Sequence, residues 1–215
     1  MGIDCFSQNS YKLFLFSKTM KFTFNEKKDL FYAGIMISLA FAILLSGGYK
    51  GILSPGFYIV FLVAFFTAGI GFLLHELMHK YVAQDYGLFA EFHAYYKMLW
   101  LAIFFSLFGF IIAAPGAVYI RGLITKEKNG KISLAGPMTN LVLAILFLIF
   151  VLLLRPEGIL GAFFKFGLTI NSLLAAFNMI PVMSFDGAKV IAWDKKIYFI
   201  TLILGISLFV LSWVV

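Results

Sequence analysis

The stretch from Phe57 to Leu74 carries no charged residue and ends directly on His75-Glu76-Leu77-Met78-His79. About 18 or more consecutive apolar residues read as a membrane-spanning helix, because only a helix satisfies its own backbone in hydrocarbon over that length. The rest of the chain agrees. Of its 215 residues, 62% are hydrophobic and 13% charged, against roughly 45–50% and about 25% in soluble domains. Several further runs approach the roughly 20 residues a helical span needs, whereas a transmembrane barrel shows short alternating strands. The expected fold class is all-α integral membrane, a polytopic helical bundle of about five to six spans.

Punctuation and charge place the spans. Residues 1–29 form a basic tail with Lys12, Lys18, Lys21, Lys27 and Lys28, and the first span follows at about Leu30–Ser46. Lysine-rich flanks stay cytoplasmic, so this tail is expected inside. Gly47-Gly48 and Ser54-Pro55-Gly56 bound an external loop, and the second span returns from Phe57 to a stop at Gly87, with His75 in its inner half. The apolar stretch Met98–Ala114 is long enough to cross, but crossing would put Arg121, Lys126, Lys128 and Lys131 outside. The sequence therefore predicts a re-entrant or β-hairpin element there, between the HExxH helix and the next span. Such backbone is tolerated only where protein or a watery cavity satisfies it. A third span is expected from Leu134 to Leu154 with Pro137 in its first turn, a fourth from Ile159 to Pro181, and a last from Ile197 to Val215. Residues 30–215 then make a single transmembrane domain.

The termini and the cysteine content narrow matters further. Leu13-Phe14-Leu15-Phe16 is too short for the apolar core of a cleavable signal, and Phe6 after Met1-Gly2 argues against myristoylation. Cys5 is the sole cysteine, so neither an intrachain disulfide nor a cysteine zinc site can form, and any metal must be held by histidine and carboxylate. The net charge of +7 is spread over loops and tails. That distribution argues against nucleic acid as a partner and for the positive-inside bias of a multi-pass protein.

Ionisable groups on a spanning helix cost on the order of 2.5–3.5 kcal/mol each by insertion scales and mark function. In a helix His75 and His79 lie one turn apart on one face, the spacing with which two imidazoles grip one zinc ion, and Glu76 sits beside the metal as a general base for an activated water. Catalytic zinc takes three protein ligands and leaves one position open. Asp186, in the turn Ser184-Phe185-Asp186-Gly187 after Pro181, is the best third ligand, the alternative being an ordinary turn aspartate.

Three motifs together resemble the site-2 proteases, intramembrane zinc metalloproteases. They are His75–Ala83, then Ala135-Gly136-Pro137-Met138-Thr139-Asn140, then Asn178-Met179-Ile180-Pro181 with Asp186-Gly187. The resemblance runs from roughly Ala68 to Gly187 and implies that His75, His79 and Asp186 bind one zinc per chain. It also makes Glu76 the catalytic base and Asn178 a group that helps hold substrate or the developing oxyanion. Ser184 and Ala188 stand where members of that family commonly show a proline and a second glycine, and no PDZ domain is present, so the chain looks like a minimal form. The implied partner is the transmembrane helix of a substrate protein within the lipid bilayer, with the active site toward the cytoplasm.

The competing reading is a non-catalytic membrane protein, either a metal transporter or a scaffold binding transmembrane helices. A transporter would spread polar ligands over several spans and show repeats, and the sequence shows neither. His93 reads as an interfacial histidine in preference to a fourth ligand. Asn140, Asn171 and Ser172 read as interhelical hydrogen-bonding groups, and Gly69 and Gly71 as sites of close helix packing.

Overall fold

The computed structural model describes residues 20–112, 114–182 and 185–215. Gly2, Cys5, Phe6, Lys12, Lys18 and the loop residue Ser184 lie outside them, together with the expectations attached to each. The described residues form a helical bundle with one pair of short strands.

Helix α1 spans Phe24–Leu45 and so begins upstream of the expected Leu30. The reason is a capping box. Thr23 accepts from the Glu26 amide while the Glu26 carboxylate reaches back to the Thr23 amide, satisfying two of the donors that a helix start leaves open. After a single turn, α2 (Tyr49–Ile52), come α3 (Phe57–Ala64), a π-helical turn (Phe65–Gly69) and α4 (Ile70–Asp85). These last three form one apolar rod of 29 residues. Gly87, at φ +75°, ends it in a left-handed conformation that glycine adopts without steric cost.

Strand β1 (Phe89–Ala94) and strand β2 (Gly116–Arg121) pair antiparallel, with Phe89 opposite Arg121 and Ala94 opposite Gly116, and helix α5 (Tyr96–Ser106) lies between them in sequence. The Tyr95 amide donates to the Pro115 carbonyl, so the chain leaves and returns at one place and Met98–Ala114 cannot be a crossing. Helix α5 runs along α1. At its start the Tyr96 hydroxyl donates to Asp29 at 2.7 Å, and just past its end the Leu107 carbonyl accepts from the Tyr49 amide beyond the far end of α1. Of the two expected forms the structure has the hairpin, which is the base of an out-and-back helical excursion. The other edge of β1 is covered by α1, whose Glu26 and Asp29 carboxylates accept from the Phe92 and Ala94 amides at 2.9 and 3.0 Å.

Helix α6 (Lys126–Leu154) starts well before the expected Leu134, because Thr125 caps it by accepting from the Lys128 amide. Pro137 is consequently inside the helix and not in its first turn. Helix α7 (Gly158–Asn178) leads to α8 (Asp186–Trp193) and α9 (Lys195–Leu211), the latter capped by Asp194. Among the described residues, four helices are long and apolar enough to cross a membrane: Phe24–Leu45, Phe57–Asp85, Lys126–Leu154 and Gly158–Asn178. At 17 residues α9 is shorter. The molecule is a polytopic helical membrane protein.

Its packing follows membrane logic. Small residues such as Ala33, Ala40, Ala68, Ala144 and Ala175 fill the helix contacts, while large apolar side chains such as Leu152, Leu153 and Ile203 face outward. Small side chains let helices approach closely, and lipid replaces water around the large ones. One cluster joins α1, α4, β1 and α5 through Ile37, Phe72, Phe92 and Leu99. Another joins α6, α7 and α9 through Leu141, Leu168 and Leu208. The seam between these halves, where α4 meets α6 and α6 meets α8, holds the polar groups described next.

Candidate metal centre

Helical spacing places His75 and His79 on the α4 face turned toward α6, and both are buried. Asp186 approaches from the first turn of α8, where a carboxylate is favoured by the helix dipole. It is placed there by Gly187: a Cβ at that position would run into the Met179 backbone, with the Met179 Cα at 2.8 Å, so the chain can fold back beneath α7 only through glycine. Asp186 Oδ2 lies 3.4 Å from His75 Nε2 and 3.1 Å from His79 Nε2. Two ligand atoms about 2.0–2.1 Å from a tetrahedral zinc lie about 3.3 Å apart, so the spacing fits one ion. Among the described residues these three form the buried group able to hold a metal, their ligand atoms all within 4.8 Å of one another.

The surroundings hold each donor in place. The His79 Nδ1 donates to the Ile132 carbonyl at 2.8 Å, which leaves Nε2 as the free lone pair. Pro137, inside α6, has no N–H to give the Ser133 carbonyl four residues earlier, next to Ile132. His75 Nδ1 lies 2.6 Å from Asn140 Oδ1. Lys189, one turn beyond Asp186 on α8, sits 3.7 Å from Asp186 Oδ1, so one carboxylate oxygen faces the lysine and the other the imidazoles. Glu76 is on the same helix as the histidines, directly after His75.

Gly136 of the Ala-Gly-Pro motif closes the site. A Cβ there would stand 2.5 Å from His75 Nε2 and 2.6 Å from His79 Cε1, so the α6 backbone passes where any side chain would occupy the ligand space. Gly136→Ala is expected to lower metal affinity by at least about tenfold, on the scale of other disturbances around a metal site. Equilibrium dialysis against zinc checks this, and unchanged binding would mean that the imidazoles do not point at Gly136.

The structure therefore brings His75, His79 and Asp186 together, as expected from the sequence. Asn178, at the end of α7, donates to the Leu174 carbonyl of its own helix at 2.9 Å. His93 lies apart on β1, with its Nε2 3.6 Å from Glu91 and its Nδ1 4.0 Å from Asp29. Lys189 and Gly136 were not singled out for the site. For Lys189, its place one turn after an aspartate on a helix was a usable signal. Asn140 was read as an interhelical group, and it faces a histidine of the cluster.

Comparison with known proteins identifies the family. The chain is 44% identical over 164 residues to "Putative zinc metalloprotease MJ0611" of Methanocaldococcus jannaschii, an alignment covering 74% of this chain and 86% of that protein. The chain belongs to the site-2 protease-like family of zinc metalloproteases. It is also 32% identical over 130 residues to "Zinc metalloprotease MJ0392" of the same organism, covering 60% of this chain and 33% of that longer protein. A third relative, "Putative zinc metalloprotease YwhC" of Bacillus subtilis, is 28% identical over 145 residues, or 58% of this chain and 65% of that protein. No family model matches the chain, and no solved structure matches it.

Proposed function

We propose that this protein is an intramembrane zinc endopeptidase that hydrolyses peptide bonds within or near the transmembrane helices of other proteins, the reaction of regulated intramembrane proteolysis. The observation that carries the reading is the buried His75–His79–Asp186 cluster, supported by relatives whose names describe zinc metalloproteases. His75, His79 and Asp186 hold the ion, one per chain. When bound, zinc supplies Lewis acidity and a water that is nucleophilic at neutral pH. Glu76 takes the proton from that water and delivers it to the leaving amine. Lys189 keeps one Asp186 oxygen engaged, so the other remains directed at the ion. Asn178 contributes to holding substrate or the oxyanion, exchanging its bond to the Leu174 carbonyl for one to the substrate.

Orientation follows from the basic residues. Lys21, Lys128 and Lys131 gather at the end of the bundle where the α4 C-terminus lies: the Lys21 backbone bonds Gln84, Lys128 lies over Tyr86 and Lys131 over Trp193. By positive-inside reasoning that end is cytoplasmic, the active site opens toward it, and α9 serves as a fifth span. The domain is read as a single one that includes α1 from Phe24 onward. A substrate helix has to unwind locally, since its carbonyls are otherwise engaged in its own ladder.

The test uses the purified full chain in detergent with a model single-span substrate. Close to one zinc per chain is expected, with cleavage lost on chelation and restored by added zinc. A chain that binds zinc and a substrate helix without ever cutting it would favour the scaffold reading, and zinc flux in sealed vesicles would favour the transporter.

A further inference from the structure

We propose that Asn171 on α7 and Asn140 on α6 form a buried relay that positions His75 for the metal, so that α7, which carries none of the ligands, takes part in holding the ion. The proposal rests on the reading of the cluster as a metal site. Both asparagines are fully buried. Asn140 Nδ2 donates to the Gly71 carbonyl at 3.3 Å and to Asn171 Oδ1 at 2.9 Å, and Asn171 Nδ2 donates to the Gly167 carbonyl at 2.9 Å.

These partners settle which end of each amide is which. A backbone carbonyl only accepts, so the Asn171 atom facing Gly167 is nitrogen and its oxygen faces Asn140. The Asn140 atom facing both Gly71 and Asn171 is likewise nitrogen, and the atom 2.6 Å from His75 Nδ1 is oxygen. An amide oxygen cannot donate. His75 Nδ1 therefore carries the proton, and Nε2 is left bare on the side of Asp186. Ordinary interhelical bonding would leave the final partner open, whereas this chain of bonds ends on a ligand and fixes its tautomer and ring plane. Groups in that position are worth about 10–100-fold in metal affinity.

The space for the relay is made by Gly71. A Cβ there would strike Asn171 Oδ1 and stand 3.2 Å from its Cγ. The three atoms nearest such a Cβ all belong to Asn171, which makes Gly71 a handle on the relay that leaves both asparagines in place.

The experiment measures zinc affinity by competition and the visible spectrum of the cobalt(II) form, using the full chain in detergent with helical content checked by circular dichroism. Asn140→Leu is expected to weaken zinc binding about 10–100-fold and to alter the cobalt spectrum. Gly71→Ala and Asn171→Leu should shift both in the same direction, by about three- to tenfold, as more remote parts of the same network. Asn140→Asp keeps an acceptor opposite His75 Nδ1 and should bind zinc within about threefold of the wild type, carboxylate–histidine–zinc being a recurrent arrangement. Ser172→Ala, also buried on α7 but donating only to the Leu168 and Thr169 carbonyls of its own helix, should change nothing. If Asn140→Leu does not fold, Gly71→Ala decides. Wild-type affinity in folded Gly71→Ala, or an Asn140→Asp as weak as Asn140→Leu, overturns the relay while leaving the metal site intact. A wild-type chain that binds neither zinc nor cobalt overturns the metalloprotease reading itself.

Discussion

Glu76→Gln is expected to keep its zinc and to lose cleavage, while His79→Ala loses both. The two residues differ in what each contributes. His79 presents Nε2 to the cluster and is locked there by its bond to the Ile132 carbonyl, so its removal leaves two ligands where catalytic zinc takes three. Glu76 belongs to the same helix but is not among the residues whose ligand atoms converge. Its amide analogue retains the shape and cannot accept a proton. General acid–base catalysis contributes about 10²–10⁴-fold, so cleavage by Glu76→Gln should fall by at least that factor at full metal occupancy. Metal content by atomic emission and turnover on a single-span substrate read the two quantities separately. Equal metal loss in both variants would make Glu76 a ligand, and unaltered cleavage in either would end the protease reading.

The convergence of His75 and His79, with Glu76 apart from it, was legible in the sequence because it follows from helix periodicity alone. Residues 75 and 79 share a face, and residue 76 falls beside it. Asp186 was legible by residue type and motif, but not by position in an element, since the expected loop aspartate is the first residue of α8. The placement of helix starts failed where a polar cap preceded the apolar run. Thr23 and Glu26 form the box that opens α1, and Thr125 opens α6, yet hydropathy marks only where lipid-facing residues begin. Pro137 was read as a helix start for the same reason. The π-helical turn at Phe65–Gly69 left no trace in composition. The strands flank the apolar stretch Met98–Ala114 and do not lie in it, because Phe89–Ala94 alternates buried and exposed residues too briefly to separate from a loop. Asn140 and Asn171 were recognisable as polar groups within spans, but their connection to His75 crosses three helices and has no signature in spacing.

The second large effect concerns stability and lies outside the metal cluster. Glu26 and Lys80 form an ion pair in which Lys80 Nζ is 2.5 Å from the carboxylate, with side-chain exposures of 0% and 1%. Glu26 is simultaneously the capping residue of α1 and the acceptor for the Phe92 amide of β1. Lys80 follows His79 directly on α4, and its ammonium lies 4.5 Å from the centre of the Phe22 ring. One carboxylate thus ties together the start of α1, the hairpin and the helix that carries the histidines. Removing one member of such a pair leaves a buried charge uncompensated, which costs about 3–5 kcal/mol, whereas replacing both by neutral groups is often close to neutral. Lys80→Met is therefore expected to destabilise the protein by about 3–5 kcal/mol, seen as a lower denaturation midpoint in detergent. The double variant Glu26→Gln with Lys80→Met should recover part of that loss, because glutamine carries no charge and its single side-chain oxygen can still accept from one of the two amides, Phe92 or Thr23, that the two carboxylate oxygens serve. A Lys80→Met midpoint equal to the wild type, or a double variant no better than the single one, would show that the pair is solvated or remade elsewhere. Because the same carboxylate anchors β1 against α1, the recovered double variant should also recover zinc occupancy, the link by which a contact remote from the ion reaches it.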